Sequence, residues 1–283
     1  VAISDQTWSP RGNINQLKIV WDDSKKINDR LRITMDVENF YIDSMENSLE
    51  LLGTGFTLQA NLKGGEILFK KTMIDLKFPT QKVYPLSLSN LDGTLKWQKN
   101  SLEGLTILAE GFEGLLDKKS FRFQALIKRL GMPNPSILFS TQLPSMNVGL
   151  VKRMIPRKFF SESHLDWLDS NLKKGNLSDS QIYFKGPFLT ESTSRARPEV
   201  LVHMKVSEAE IQFSKEGPLV GDLFGTLDIA HNTLSFKINS GNIADFKVSD
   251  AAIFIPNLSE AYGKVSLLGN LVGDGKYLAN LKA

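Results

Sequence analysis

Cysteine is absent from this 283-residue chain, which excludes a disulfide framework and any thiolate metal site. Histidine is scarce. His164, His203 and His231 stand far apart in the sequence with no carboxylate cluster at ligand spacing, so neither a metal nor another cofactor is expected. No stretch approaches the roughly 20 apolar residues of a membrane-spanning helix. Nucleotide and hydrolase signatures are missing as well: there is no Walker A loop, no G-x-S-x-G elbow and no G-x-G-x-x-G fingerprint. Gly53-Thr54-Gly55 lacks the third glycine and reads as a turn or bulge. With no candidate nucleophile and base, no enzyme is expected. A net charge of +3 is too small to mark a nucleic-acid binder. With 41% hydrophobic and 23% charged residues, the chain has an ordinary globular composition.

What the chain has in abundance is alternation. Val200, Val202, Met204 and Val206 are separated by single residues, with polar ones between the last three, and Ile211 with Phe213, then Leu223, Leu227 and Ile229, then Leu234, Phe236 and Ile238 follow. A period of two places apolar side chains on one face of a sheet and polar ones on the other. The first half repeats the pattern at Ile14 to Trp21, Leu31 to Val37, Phe56 to Leu62, Ile67 to Phe69, Met73 to Phe78, Leu91 to Trp97, Leu105 to Ala109, Phe121 to Ile127 and Ile137 to Thr141. Short turns carrying Gly, Asn or Asp join most of these runs, which predicts a largely antiparallel meander. Leu91-Asp92-Gly93-Thr94-Leu95 recurs as Leu223-Phe224-Gly225-Thr226-Leu227, 132 positions on. This echo points to one module used twice, over residues 1–143 and 144–283.

Only one segment reads as a helix, over residues 161–174. Ser161 and Ser163 offer N-caps, and Asp166 and Asp169 suit the positive end of its dipole better than they suit a catalytic pair. Leu165, Leu168 and Leu172 share a face, Lys173 and Lys174 occupy the last turn, and Gly175 supplies a C-terminal stop. The preceding run from Lys152 to Phe160 mixes four cations with apolar residues, which suits either anionic head groups or a solvated connector anchoring that helix. The chain opens on Val1 without an initiating Met and is expected to be part of a longer protein.

These elements carry a resemblance. Pro10-Arg11-Gly12 leading into Ile14, Leu17, Ile19 and Trp21, and Leu88-x-x-Leu91-x-Gly93-x-Leu95-x-Trp97, are similar to strands of the AsmA-like family of envelope proteins in Gram-negative bacteria. So are Met154-Ile155-Pro156 with Trp167-Leu168-Asp169, then Ile182-x-Phe184-x-Gly186-Pro187-Phe188, and finally Ala252-x-Phe254-Ile255-Pro256-Asn257-Leu258. The motifs follow the family's order along nearly the whole chain.

The resemblance implies a mostly β fold: a long, curled, largely antiparallel sheet forming an open apolar groove, with one short helix. It further implies bridge-like transfer of phospholipid across the periplasm, between an inner membrane reached through a span outside this sequence and the outer membrane. On that reading Leu31, Ile33, Met35, Val37, Val202, Met204, Val206, Leu227, Ile229, Phe236 and Ile238 line the groove, while Arg32, Asp36, His203, Lys205, Asp228 and Lys237 face water. Alternation alone serves a pair of closed β-sandwiches equally well, as a structural or binding module, because both folds need one apolar face per strand.

Overall fold

The computed structural model describes residues 8–44, 49–77, 86–154, 166, 169–187, 198–212, 219–257 and 266–273. Contacts divide the chain into two units, one of residues 1–142 and 184–198, the other of residues 143–183 and 199–283. The first holds β1 (Trp8–Trp21), β2 (Leu31–Ser44), β3 (Leu49–Ala60), β4 (Gly64–Lys77), β5 (Leu86–Asn100), β6 (Gly104–Leu116), β7 (Lys119–Leu130) and β8 (Ser136–Leu143). The second holds β9 (Met146–Asn147), a short helix α1 (Val148–Met154), β10 (Leu172–Pro187), β11 (Glu199–Gln212), β12 (Leu219–Ala230), β13 (Thr233–Ile243), β14 (Phe246–Ile255) and β15 (Ser266–Val272).

By hydrogen bonding the strands form one 15-stranded sheet whose order follows the sequence from β1 to β15, with β9 off the path beside β10. The expected mostly β, antiparallel meander is therefore what forms. A sandwich would divide its strands between two packed sheets, and this connectivity does not.

The strands are longer than alternation suggests, because β-bulges reset it. Lys71 (φ 48), Asn90 (φ 48) and Gly111 (φ 62) in β4, β5 and β6 adopt left-handed backbone, and the cross-strand register shifts beside each of them. An extra residue on one strand moves every later side chain to the opposite phase and sharpens the local twist. Ile67 and Phe69, read as one run, and Met73 to Lys77, read as the start of another, are thus a single strand, β4. Asn90 and Asp222 share φ 48 at the spacing of the sequence repeat, so β5 and β12 carry the same bulge. In each strand a deeply buried leucine follows it, Leu91 and Leu223.

The helical segment is corrected at its C-terminal end. Asp166 and residues 169–171 are helical, and residues 161–165 with 167–168 lie outside the described residues. Leu172 already begins β10, so Lys173, Lys174 and Gly175 are strand and not the last turn and cap. Pairing to β11 decides this. Lys174 Nζ lies 2.7 Å from Glu210, and the bare Cα of Gly175 (φ 145) lets Ala209 approach to within 3.0 Å of where a Cβ would sit.

Helix α1, whose last three residues begin the basic run from Lys152 to Phe160, is capped by Asn147, whose Oδ1 accepts from Leu150 N at 2.8 Å. Val148 and Leu150 within it and Met146 just before it are buried. The remainder of the basic run, residues 155–160, lies outside the described residues.

Candidate functional site: the apolar face

Register fixes which side chains share a face, since residues opposite one another across a strand pair point the same way. In unit 1 Ile33 stands opposite Ala60, Met35 opposite Leu58 and Val37 opposite Phe56. From there the face continues through the Leu58–Ile67, Ile67–Leu95, Leu95–Ala109 and Ala109–Ala125 pairs to β7. In unit 2 Val202 stands opposite Ile229 and Met204 opposite Leu227. Ile229 then faces Leu234, and Leu227 faces Phe236. Each unit thus carries one uninterrupted apolar face.

The bulges divide that face in two. On one side of them side chains are buried: Phe40, Ile74, Leu91 and Phe112 in unit 1, and Ala209, Leu223 and Val248 in unit 2. On the other side the face is mostly half-buried, at Ile33, Met35, Leu58, Ile67, Leu95 and Ile107 in unit 1 and at Val202, Met204, Leu227, Ile229 and Leu234 in unit 2, with Val37, Ala109, Phe236, Ile238 and Ile253 buried among them. We call these the packed half and the open half. Each bulge sharpens the local twist and coil of the sheet.

Of the residues expected to line a groove, Leu31, Ile33, Met35, Val202, Met204, Val206, Leu227 and Ile229 are half-buried in the open half, and Val37, Phe236 and Ile238 lie on that same side of the bulges but are buried. The sequence reading nominated no residue from β3 to β8. Their place on the same face follows from register, which alternation within one strand does not contain. At the edge, Ile14, Leu17, Ile19 and Trp21 of β1 are more than half exposed, at 52–60%.

A row of rings crosses unit 1 on this face. Phe40 meets Phe56 edge-on with centroids 5.1 Å apart, Phe56 meets Phe69 at 6.0 Å, Phe69 meets Phe112 at 5.6 Å, and Phe112 stacks on Phe123 at 4.7 Å. The contact between Phe69 and Phe112 reaches across β5, and Gly93 makes it possible: a Cβ there would lie 2.6 Å from the Phe112 ring. Offset and edge-on aromatic pairs of this kind add about 0.5–1.5 kcal/mol each beyond the area they bury.

The opposite face is polar. His203 Nδ1 lies 2.7 Å from Asp228, Lys205 Nζ 2.7 Å from Asp179, and Lys96 Nζ 2.8 Å from Glu110. Arg32, His203, Lys205 and Lys237 are exposed there, and Asp36 accepts a 2.8 Å hydrogen bond from Thr57. A concavity of about 750 Å³ also opens on this side, touching Arg32, Gln59, Glu66, Lys96 and Leu108. It is not part of the apolar face. His231 is exposed in the β12–β13 turn with φ 57, and His164 lies outside the described residues. Among the described residues no three His, Asp or Glu side chains are grouped to hold a metal ion, and no helix is long and apolar enough to cross a membrane.

These exposed pairs set a pH dependence. Asp179 is held below the ordinary carboxylate range by the hydrogen bond from Lys205, and that bond raises Lys205 in turn. Lys174 and Lys96 are raised by hydrogen bonds to Glu210 and Glu110. A lowered carboxylate contributes stability above its ordinary pKa and loses it as pH falls through the folded value. A raised lysine contributes below its ordinary pKa and loses it as pH climbs through the folded value. The melting temperature is therefore expected to be level between about pH 5 and pH 9 and to decline gently on either side, since exposed pairs are weak. A thermal melt series across pH checks this, and a maximum inside that window would contradict it.

A family model described as YhdP protein matches residues 5–281. The chain belongs to the YhdP family. The AsmA-like resemblance carried by the ordered strand motifs is thereby confirmed, and YhdP-family membership accords with an envelope-related role. No curated protein and no solved structure matches this YhdP-family chain.

Proposed function

We propose that this YhdP-family segment shields phospholipid acyl chains on the open half of its apolar face during passage between the inner and outer membranes, without enzymatic chemistry. The protein would lie in the periplasm and be anchored to the inner membrane through regions outside this sequence. The observation that carries the reading is the band of half-buried apolar side chains crossing the strands of each unit, from Ile33 through Leu58, Ile67, Leu95 and Ile107, and from Val202 through Ile229 to Leu234. Such a band offers hydrocarbon roughly 25 cal/mol per Å² of apolar area removed from water, with no demand on chain sequence or shape. Acyl chains can therefore slide along it, with the direction set outside this segment.

Photo-crosslinking residues at Met35 and Ile229, with Arg32 and Asp228 as polar-face controls, test the reading in the intact protein. Phospholipid adducts are expected at the first pair only. Equal labelling of both pairs, or none at any position, would overturn it.

A further inference from the structure

Four connections of unit 1 lie at the same end of its strands, beside the open half: residues 22–30, 61–63, 101–103 and 131–135. This rim is basic. Lys25 and Lys26 sit in the first turn, Lys63 in the second, Lys99 at the end of β5, and Lys128 and Arg129 at the end of β7, all exposed. The backbone brings two of them together, because Lys99 N donates to Lys63 O at 2.7 Å. Directly below, the Trp97 indole covers Gly65 on the apolar face, where a Cβ would lie 2.5 Å from the ring.

Asp22 and Asp23 of the rim are engaged, Asp29 and Glu103 are exposed, and Lys and Arg outnumber these four carboxylates. Asp22 accepts from Ser24 at 2.6 Å, and Asp23 accepts from Trp21 Nε1 at 2.8 Å with Arg30 alongside. Among the described residues, the ammonium groups of Lys63 and Lys99 have no such partner. The β12–β13 turn of unit 2, which also ends an open half, is different. It carries His231 and Asn232 with no Lys or Arg, and Asn232 hydrogen-bonds to Asn257.

From this juxtaposition we infer that the rim of unit 1 is a headgroup rail: Lys63 and Lys99, brought together at the second and third turns, hold the phosphate of a diacyl lipid whose chains lie on the open half. The inference rests on the proposed function and specifies its ligand as an anionic amphiphile. Charge complementarity supports it. Uncompensated cations border hydrocarbon-lining surface, and successive turns along the rim stand two strand spacings apart, about 10 Å, so a phosphate leaving one cation soon meets the next. Cations near an anionic lipid surface each strengthen attraction several-fold, within a screening length of about 8 Å at physiological salt.

The test uses the intact protein with a photo-crosslinker at Met35, given vesicles containing equal phosphatidylglycerol and diacylglycerol of identical chains. Phosphatidylglycerol adducts are expected to exceed diacylglycerol adducts by about tenfold. The ratio should fall near one in the Lys63→Gln/Lys99→Gln variant, with total adducts retained, whereas Lys128→Gln on the polar face should leave it unchanged. Lys63 and Lys99 are exposed and make no side-chain contacts, so the double variant should fold, as its unchanged melting temperature will show. Equal adducts in the unaltered protein, or an undiminished ratio in the double variant, would overturn the rail while leaving acyl-chain binding intact. Loss of the preference on adding inorganic phosphate would assign the site to free phosphate and overturn the headgroup reading. Absence of adducts with either lipid would overturn the proposed function and the rail with it.

Discussion

Gly225→Ala is expected to destabilise the second unit by about 3 kcal/mol, whereas Gly221→Ala on the same strand should be neutral or slightly stabilising. A Cβ at Gly225 would run into the carbonyl oxygen of Lys237 on β13 and lie 2.9 Å from Cε2 of Phe236. The first neighbour is backbone hydrogen-bonded into the ladder and cannot yield without moving β13. At Gly221 the nearest atom is Cγ of Glu210, 3.7 Å away at the side of a flexible chain. Alanine there restricts the unfolded chain and gains up to about 1 kcal/mol. Urea denaturation midpoints of the two variants measure the contrast. Similar midpoints would mean that close approach of β12 and β13 is not what Gly225 provides. Gly93 in β5, the counterpart at the repeat spacing, makes room for the Phe112 ring in the same manner. The repeated Gly-Thr-Leu motif is thus a repeat of a packing solution as well as of letters.

Ile229→Asp and Phe236→Asp are expected to differ in kind. Both positions face the same way, joined through Leu227, which stands opposite Phe236 on β13. Phe236 is 4% exposed and packs with Leu223, Ile238 and Ile253. A carboxylate there would be buried without a partner, a penalty of several kcal/mol that approaches the stability of a whole domain. Phe236→Asp should therefore fail to fold. Ile229 is half-buried in the open half, where a carboxylate can reach water. Ile229→Asp should keep a cooperative melt and lose lipid adducts at neighbouring Val202, because a fixed charge beside the path repels hydrocarbon. Unfolding of Ile229→Asp would make the open half part of a dry core and sink the division proposed between the two halves.

Much of the architecture was legible before any coordinates. Alternation at Val202, Met204 and Val206 and at Leu31, Ile33 and Met35 placed those side chains correctly on one face, because phase within a strand is a property of consecutive residues. The polar phase was equally readable at Arg32, His203 and Lys205. Legibility ended where a neighbouring strand makes the decision. Lys71 looks like a break between two strands and is a bulge within one, since left-handed backbone at a lysine is tolerated only when the pairing on both sides holds it. Lys173 and Lys174 suit a last helical turn by local preference, yet β11 offers Glu210 and a ladder to pair with.

Taken alone, then, the sequence determines that the chain is a β meander with one apolar and one polar face, where most of its turns fall, and that β5 and β12 repeat one another. The tertiary structure decides which part of the apolar face is covered. Val37 and Met35 share one run and one face, yet Val37 is buried and Met35 is half-open. Their difference depends on what the neighbouring strands bring beside each: Val37 lies opposite Phe56, whose ring packs on Phe40, whereas Met35 lies between Leu17 and Leu58. Those neighbours arrive through hydrogen bonds to other strands, and that information is absent from any single strand.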